Sequence, residues 1–263
     1  MHFPYGSDVT PDQFELIRSF LESATKQTRP RKYELYDLFC ASLYILREGC
    51  RWRNLPHDFP DWQICYYYFS VWTKKTDNEP TVLDRILREL VMSERIIKGR
   101  KPNPSMIIVD SKSVKNTSLP AERGYDGAKK VKGIKIHIGV DINGLPITIH
   151  LTTANVTDRS GALEMIEINS DSLAPNCVKV LCDGGYQGES FAKAVDILIN
   201  AEVEVVKRPE MHKFVVVPKR WVVERSFGWL ESAHRLWKNT ERNMHTTLQM
   251  VTLSFISMLL RRY

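Results

Sequence analysis

The sequence contains no CxxC pair. Its five cysteines, Cys40, Cys50, Cys65, Cys177 and Cys182, are odd in number and scattered. Neither a disulfide framework nor a cysteine-based structural zinc site is therefore expected, and the thiols read as small buried side chains. An unbroken apolar run of membrane-spanning length is also missing. The most apolar stretch, Met244 to Leu260, is interrupted by His245, Thr246, Thr247, Gln249, Thr252, Ser254 and Ser257, so it reads as a buried helix. The opening MHFPYGSDVT has neither a basic region nor an apolar core, which excludes a signal peptide there and makes a reducing cytoplasm the expected setting. No internal repeat or low-complexity tract is present.

What the chain does have is enough apolar material for a core: 43% of its 263 residues are hydrophobic and 26% are charged. That fits one or two globular domains and excludes a disordered or fibrous protein. The net charge of +6 is unevenly placed, at +2 for Met1–Pro104, −3 for Ser105–Glu204 and +7 for Val205–Tyr263. A carboxylate-rich middle beside a basic end suits an enzyme acting on phosphodiesters, and it equally suits a solvated basic helix.

From Pro11 to about Arg100 the spacing is helical. Phe14, Ile17 and Leu21 mark a first helix, with Ser7 and Asp8 as candidate caps. YELYDLFCASLYILREG marks a second, ended by Gly49. Pro56 and Pro60 form a turn, Asp61 caps, and an aromatic helix follows through Trp72. With Arg51, Arg53, Lys74 and Lys75 nearby, this outline fits a helix-turn-helix module or a plain helical bundle carrying surface bases. KGRKPNPS then reads as a linker, which predicts a helical DNA-binding domain over 1–100 and a second domain over 101–263.

Beyond the linker the period changes to that of strands. MIIVDS is a short strand ending in Asp110, and KGIKIHIGVDINGLPITIHLTTA is a hairpin about Asn143-Gly144. A helix follows from Thr157, then the strand CVKVLCD ending in Asp183, the helix ESFAKAVDILINA, the strand VEVVKR, and a helix over KRWVVERSFGWLESAHRLW with Val223, Phe227 and Leu230 on its buried face. This order predicts an α/β fold, a mixed sheet flanked by helices as in an RNase H-like domain, preceded by a small helical domain.

Carboxylates ending adjacent buried strands point to one place, and a later helix can bring Glu224 across it. Three converging carboxylates repel one another unless cations compensate them. Mg²⁺, a hard ion that keeps waters and a substrate phosphate in its shell, is the natural choice. Two such ions can activate the attacking oxygen and stabilise the leaving one. Taken singly, Asp110 also fits a loop start, Asp183 a helix cap, and Glu224 an i, i+4 partner of Arg220.

Taken together the motifs resemble a known family. GCRWRNLP with its aromatic helix, IIVDSKSVK, LCDGGYQG and VVPKRWVVERSFGWLE, in that order, resemble IS5-type transposases of the wider IS4/IS5 group of DDE insertion-sequence enzymes, over nearly the whole chain. The resemblance implies catalytic, metal-holding residues Asp110, Asp183 and Glu224, with two Mg²⁺ ions and Mn²⁺ as a substitute. It implies double-stranded DNA as partner, both terminal inverted repeats and target, and a homodimer on the DNA ends in a bacterial cytoplasm at the nucleoid. Expected DNA contacts are Arg51, Arg53, Lys74, Lys75, Lys112, Lys115 and Arg220, with Tyr186 stacking on an unpaired base. Lysines of the KKVKGIKIH run are further candidates for the DNA backbone. The chain departs from the group's pattern at Val217, where a tyrosine is usual, and at Glu231, where a base is usual. Arg235, placed one turn on along the same helix, is the expected substitute. His137, Asp141 and Asp158 read as core, turn and cap residues. Two other readings of the residues stay open, a nuclease without strand transfer and an end-binding protein without chemistry.

Overall fold

A computed structural model describes residues 4–25, 31–76, 79–206 and 220–263. By contacts the chain forms two compact units. The first is not contiguous. It gathers Met1–Leu90, Trp229–Lys238 and His245–Tyr263, whereas the second holds Val91–Gly228 and Asn239–Met244. A division at residue 100 is linear. This grouping instead returns two C-terminal segments to the first unit.

The first unit is helical. Helix α1 (Pro11–Ser23) starts at Thr10, whose side chain accepts from the Gln13 amide in a reciprocal capping box, so the cap lies two residues beyond the expected Asp8. Helix α2 (Leu35–Glu48) is buried nearly all round and ends at Gly49, whose φ of 69° is the left-handed turn a glycine makes at little cost. A short 3₁₀ turn (Trp52–Asn54) precedes α3 (Trp62–Trp72), which Asp61 caps through the Gln63 amide. In the core Phe39 packs tilted on Phe14 and edge to face with Trp72. Helix α4 (Val82–Ile97) begins in this unit and supplies buried Leu83, Ile86, Leu87 and Leu90.

The second unit carries a mixed sheet. Its strands are β1 (Met106–Lys115), β2 (Gly124–Asp126), β3 (Val131–Val140), β4 (Pro146–Thr153), β5 (Lys179–Asp183) and β6 (Glu202–Val206). Their spatial order is β2-β3-β1-β5-β6, with β4 also on β3. The first four are antiparallel, and β1, β5 and β6 run parallel. The crossovers are α5 (Asp158–Ile168) with α6 (Ser170–Leu173), then α7 (Glu189–Ile199). This is the mixed sheet flanked by helices that the element order predicts.

Three particulars differ from the sequence reading. Strand β1 does not stop at Asp110. Antiparallel pairing with β3 carries it from Ile108↔Val140 to Lys115↔Gly133, so register overrides a polar composition. Helix α8 (Arg220–Leu230) stops before Glu231, where the Ser232 hydroxyl takes the Trp229 carbonyl at 2.8 Å and His234–Leu236 form a separate 3₁₀ turn. Helix α5 is capped by Thr157 rather than by Asp158. The last helix, α9 (Met244–Leu260), is buried along most of its length. Among the described residues no helix is long and apolar enough to cross a membrane.

Candidate active site

Side chains alternate across a sheet, so register decides which residues share a face. The last parallel pair between β1 and β5 is Ile108↔Leu181. Asp110 and Asp183 each stand two residues further on and therefore point to the same face, where the two strands part. They line one small pocket, open to solvent, together with Ile108, Leu181, Val206 and Val223 of α8. The opposite face is closed. There Ile107, Val109, Val180 and Cys182 pack with Ala162 and Met165 of α5 and Phe191 and Val195 of α7.

Both aspartates are fixed by their own backbone. Asp110 Oδ1 accepts from the Ser111 amide at 2.7 Å, and Asp183 Oδ1 from the Gly185 amide at 2.8 Å. The second bond makes Asp183 the cap of a 3₁₀ turn, Gly184–Tyr186, so its capping and site roles coexist. Glu224 stands differently. Val222, Val223, Ser226, Phe227 and Leu230 are the buried stripe of α8, and Glu224 is exposed on its flank, one residue from the pocket-lining Val223. The arrangement thus brings Asp110 and Asp183 together and carries Glu224 on the helix whose Val223 borders their pocket. Among the described residues no three His, Cys, Asp or Glu side chains stand in metal-holding geometry.

The donor chemistry suits a hard cation. Asp110 and Asp183 offer oxygen only. The nearby Cys182 is buried on the other face, and burial, helped by Asp183, pushes its thiol up to about 12, so no thiolate competes. The two aspartates therefore suit a hard divalent cation.

Helix α8 is anchored where it carries Glu224. The Ser226 hydroxyl donates to the Gly144 carbonyl at 2.9 Å, and Arg225 Nη2 to the Asn143 carbonyl at 2.8 Å. The turn it grips is built by Asp141, which is fully buried, ion-paired with Arg95, and accepts from the Asn143 and Leu145 amides. Sequence reasoning found the turn but missed Arg95, Arg225 and Ser226. Their partners lie tens of residues away, and no local spacing signals them.

The other expected site residues are dispersed. Arg51, Arg53, Lys74 and Lys75 are exposed in the first unit, with Arg53 over the Trp62 ring at 5.4 Å. Lys112 is half-buried on the Asp110 face, and Lys115, by parity, faces the other way. Arg220 begins α8, and its side chain, like all of Val217, lies outside the described residues. Two expectations need correction. Tyr186 is 1% exposed and packs on Phe191, so its ring has no open face for a base. Arg235 is not on the Glu224 helix. It lies past the end of α8, where its Nη1 donates to the Cys50 carbonyl at 2.6 Å within the first unit. Of the lysine run, Lys129, Lys130 and Lys132 are exposed, but Lys135 is buried against Asp158 at 2.7 Å and Asp126 at 3.6 Å.

Comparison with known proteins gives the same direction. A family model described as "Transposase DDE domain" matches residues 101–260. A second, described as "Putative transposase of IS4/5 family", matches residues 9–79. A Burkholderia cepacia protein named as a putative transposase for insertion sequence element IS402 is 30% identical over 159 residues, covering 57% of this chain and 70% of the relative. A Sinorhizobium fredii protein, "Uncharacterized protein y4sN", is 29% identical over 122 residues, covering 46% of this chain and 83% of the relative.

Proposed function

Because this chain belongs to the DDE transposases, in their IS4/5 group, we propose that Asp110, Asp183 and Glu224 are the acids with which it cuts and joins DNA. The family consists of DNA-binding enzymes that depend on divalent metal to cleave DNA and transfer strands, and its DDE domain has an RNase H-like fold. The observation that carries the assignment is the convergence of Asp110 and Asp183 on one sheet face, in one pocket that α8 borders with Val223.

In this reading the three acids would hold two Mg²⁺ ions, which would supply Lewis-acid charge stabilisation to phosphodiester chemistry. The chain's own residues do the placing. The backbone amides of Ser111 and Gly185 fix the aspartates, and the grip of Ser226 and Arg225 on the Asn143-Gly144 turn fixes the helix that carries Glu224. Water attacks phosphorus at the element end, the P–O3′ bond breaks, and a 3′-hydroxyl is freed. That hydroxyl then attacks a target phosphodiester and displaces the target's own 3′ oxygen. One bond forms for each that breaks, so no covalent protein–DNA intermediate is needed. Arg51, Arg53, Lys74 and Lys75 hold the backbone of the terminal inverted repeats, and a homodimer pairs the two ends.

The test is cleavage and strand transfer on a duplex carrying the inverted repeats that flank the gene. Asp110→Asn, Asp183→Asn and Glu224→Gln should each lower cleavage by several orders of magnitude, since stabilisation of the developing charge is lost, while gel-shift affinity for the ends changes little. A variant that cleaves at near wild-type rate removes its residue from the triad. Wild-type protein that cuts ends but never joins pre-cut ends to target would make the chain a nuclease.

A further inference from the structure

Helix α3 (Trp62–Trp72) buries only Cys65, Phe69 and Trp72. Its outer face carries Gln63, Tyr66, Tyr67 and Ser70, all exposed, with Tyr66 at 47% and Tyr67 at 56%. Lys74 continues the stripe just past the helix end, at the i, i+4, i+7, i+11 spacing from Gln63. From Trp62 to Thr76 there is no acidic residue. The charges around the face are those of Arg51, Arg53, Lys74 and Lys75, all exposed, with one exposed carboxylate, the capping Asp61, at its first turn. The helix is also rigidly seated. Asp61 caps it, Cys65 Sγ donates to the Pro60 carbonyl, and Trp52 packs on Tyr66 and Phe69 with centroids 5.4 Å apart in each case.

We propose that this face of α3 enters the major groove of the element end and that Gln63 and Tyr67 read base edges there. The proposal rests on the reading that the chain binds DNA, and adds which surface distinguishes one sequence from another. An 11-residue helix is about 16 Å long, and the major groove of B-DNA, about 12 Å wide, admits one helix. The side chains suit the task. A glutamine amide offers a donor and an acceptor side by side, the pattern that adenine N6 and N7 complement. A tyrosine ring gives flat contact to a thymine methyl, and its hydroxyl adds one polar contact. Gln63 lies in the first turn, the end that reaches bases in helix-turn-helix complexes. Lys74 at the end of the stripe, with Lys75 and Arg53 near it, would meet the phosphate backbones, so these residues supply affinity without sequence information. A second copy of this chain is the less suitable occupant, because a two-fold contact through this face would bring positive charge against positive charge.

The experiment selects duplexes from a randomised pool with the full-length protein, then measures affinity and its salt dependence for the winning sequence. Gln63→Ala and Tyr67→Ala are at exposed positions and should melt as wild type does. They should enrich a motif degenerate at one or two base pairs and bind the wild-type winner about tenfold more weakly, at an unchanged salt slope. Lys74→Ala should enrich the wild-type motif, bind all duplexes more weakly, and lower the salt slope by about one. If Gln63→Ala and Tyr67→Ala enrich the wild-type motif with undiminished preference, base reading by α3 is overturned and DNA binding stands. If the wild-type protein enriches nothing, the DNA-binding reading falls and this proposal with it. A variant that turns a wild-type dimer into a monomer by light scattering would make the face a self-association surface, which also overturns the proposal.

Discussion

His137 alternates with apolar neighbours in β3 and is fully buried, its Nε2 bonded to Thr152 Oγ1 at 2.9 Å. Burial pushes its pKa down to about 3, and the nearby His150 ring adds to the effect. The folded protein therefore keeps this imidazole neutral, while the unfolded chain takes up the proton near pH 6.5. Stability from this group is complete above about pH 6.5 and falls by about 1.4 kcal/mol per unit below it, until the folded value is reached. Urea titrations at pH 7.5 and 5 should show wild type losing about 2 kcal/mol more than His137→Gln between those two conditions. Equal losses would show that His137 is not held neutral. At this scale the convergence of Asp110 and Asp183 on one pocket was legible, because each follows an apolar run of a buried strand. Tyr186 was not. An aromatic after Asp-Gly-Gly has the same local sequence whether it stacks on a base or fills a core, and only the α5 and α7 packing around it decides. Lys135 was misread with its run for the same reason. Its exposed neighbours gave no sign of Asp126 and Asp158 enclosing it.

Among the elements, the β3–β4 hairpin shows how far local sequence reaches. Asn143-Gly144 marks the turn, and Gly144 adopts a φ of 76° as such turns require. What the turn holds was hidden, since Arg95 precedes Asp141 by 46 residues and Ser226 follows Gly144 by 82. Arg95 is 5% exposed and Asp141 0%, so removing one partner strands a buried charge. Asp141→Ala should cost about 3–5 kcal/mol of stability, read as a lowered denaturant midpoint. A change below about 1 kcal/mol would mean that water or another group replaces the carboxylate. Helix α8 was legible as a buried stripe of Val223, Phe227 and Leu230, but its end was not. Nothing in the spacing of WLESAHRLW distinguishes a continuing helix from the Ser232 back-bond and separate 3₁₀ turn that break it.

For the whole molecule, the two family models match residues 9–79 and 101–260 and leave 80–100 between them unmatched, whereas contacts return α9 to the first unit. There the Thr81 hydroxyl donates to Gln249 Oε1 at 2.9 Å, Gln249 Nε2 to Asp84 at 3.1 Å, and Arg261 to the Ser7 carbonyl at 2.6 Å. Long-range partnership of this kind leaves only an apolar helix in the sequence, with no indication of what it packs against. A fragment of residues 1–100 lacks Met250, Val251, Phe255 and Leu259, all fully buried. It should therefore melt without the cooperative transition of the full chain, and a sharp wild-type-like melt would place α9 outside that core.

The central claim is that carboxylate oxygens act here through a hard divalent ion. Ca²⁺ holds its ligands at about 2.3–2.6 Å, against about 2.0–2.1 Å for Mg²⁺, and tolerates looser geometry. It should support a stable protein–DNA complex without aligning the attacking oxygen. The most direct measurement incubates one end-containing duplex with the protein in EDTA, Mg²⁺, Mn²⁺ and Ca²⁺ and resolves the products on a denaturing gel. Cleavage should appear in Mg²⁺ and Mn²⁺, binding without cleavage in Ca²⁺, and no cleavage in EDTA. Cleavage that persists in EDTA, or a covalent protein–DNA adduct on the same gel, would contradict the claim.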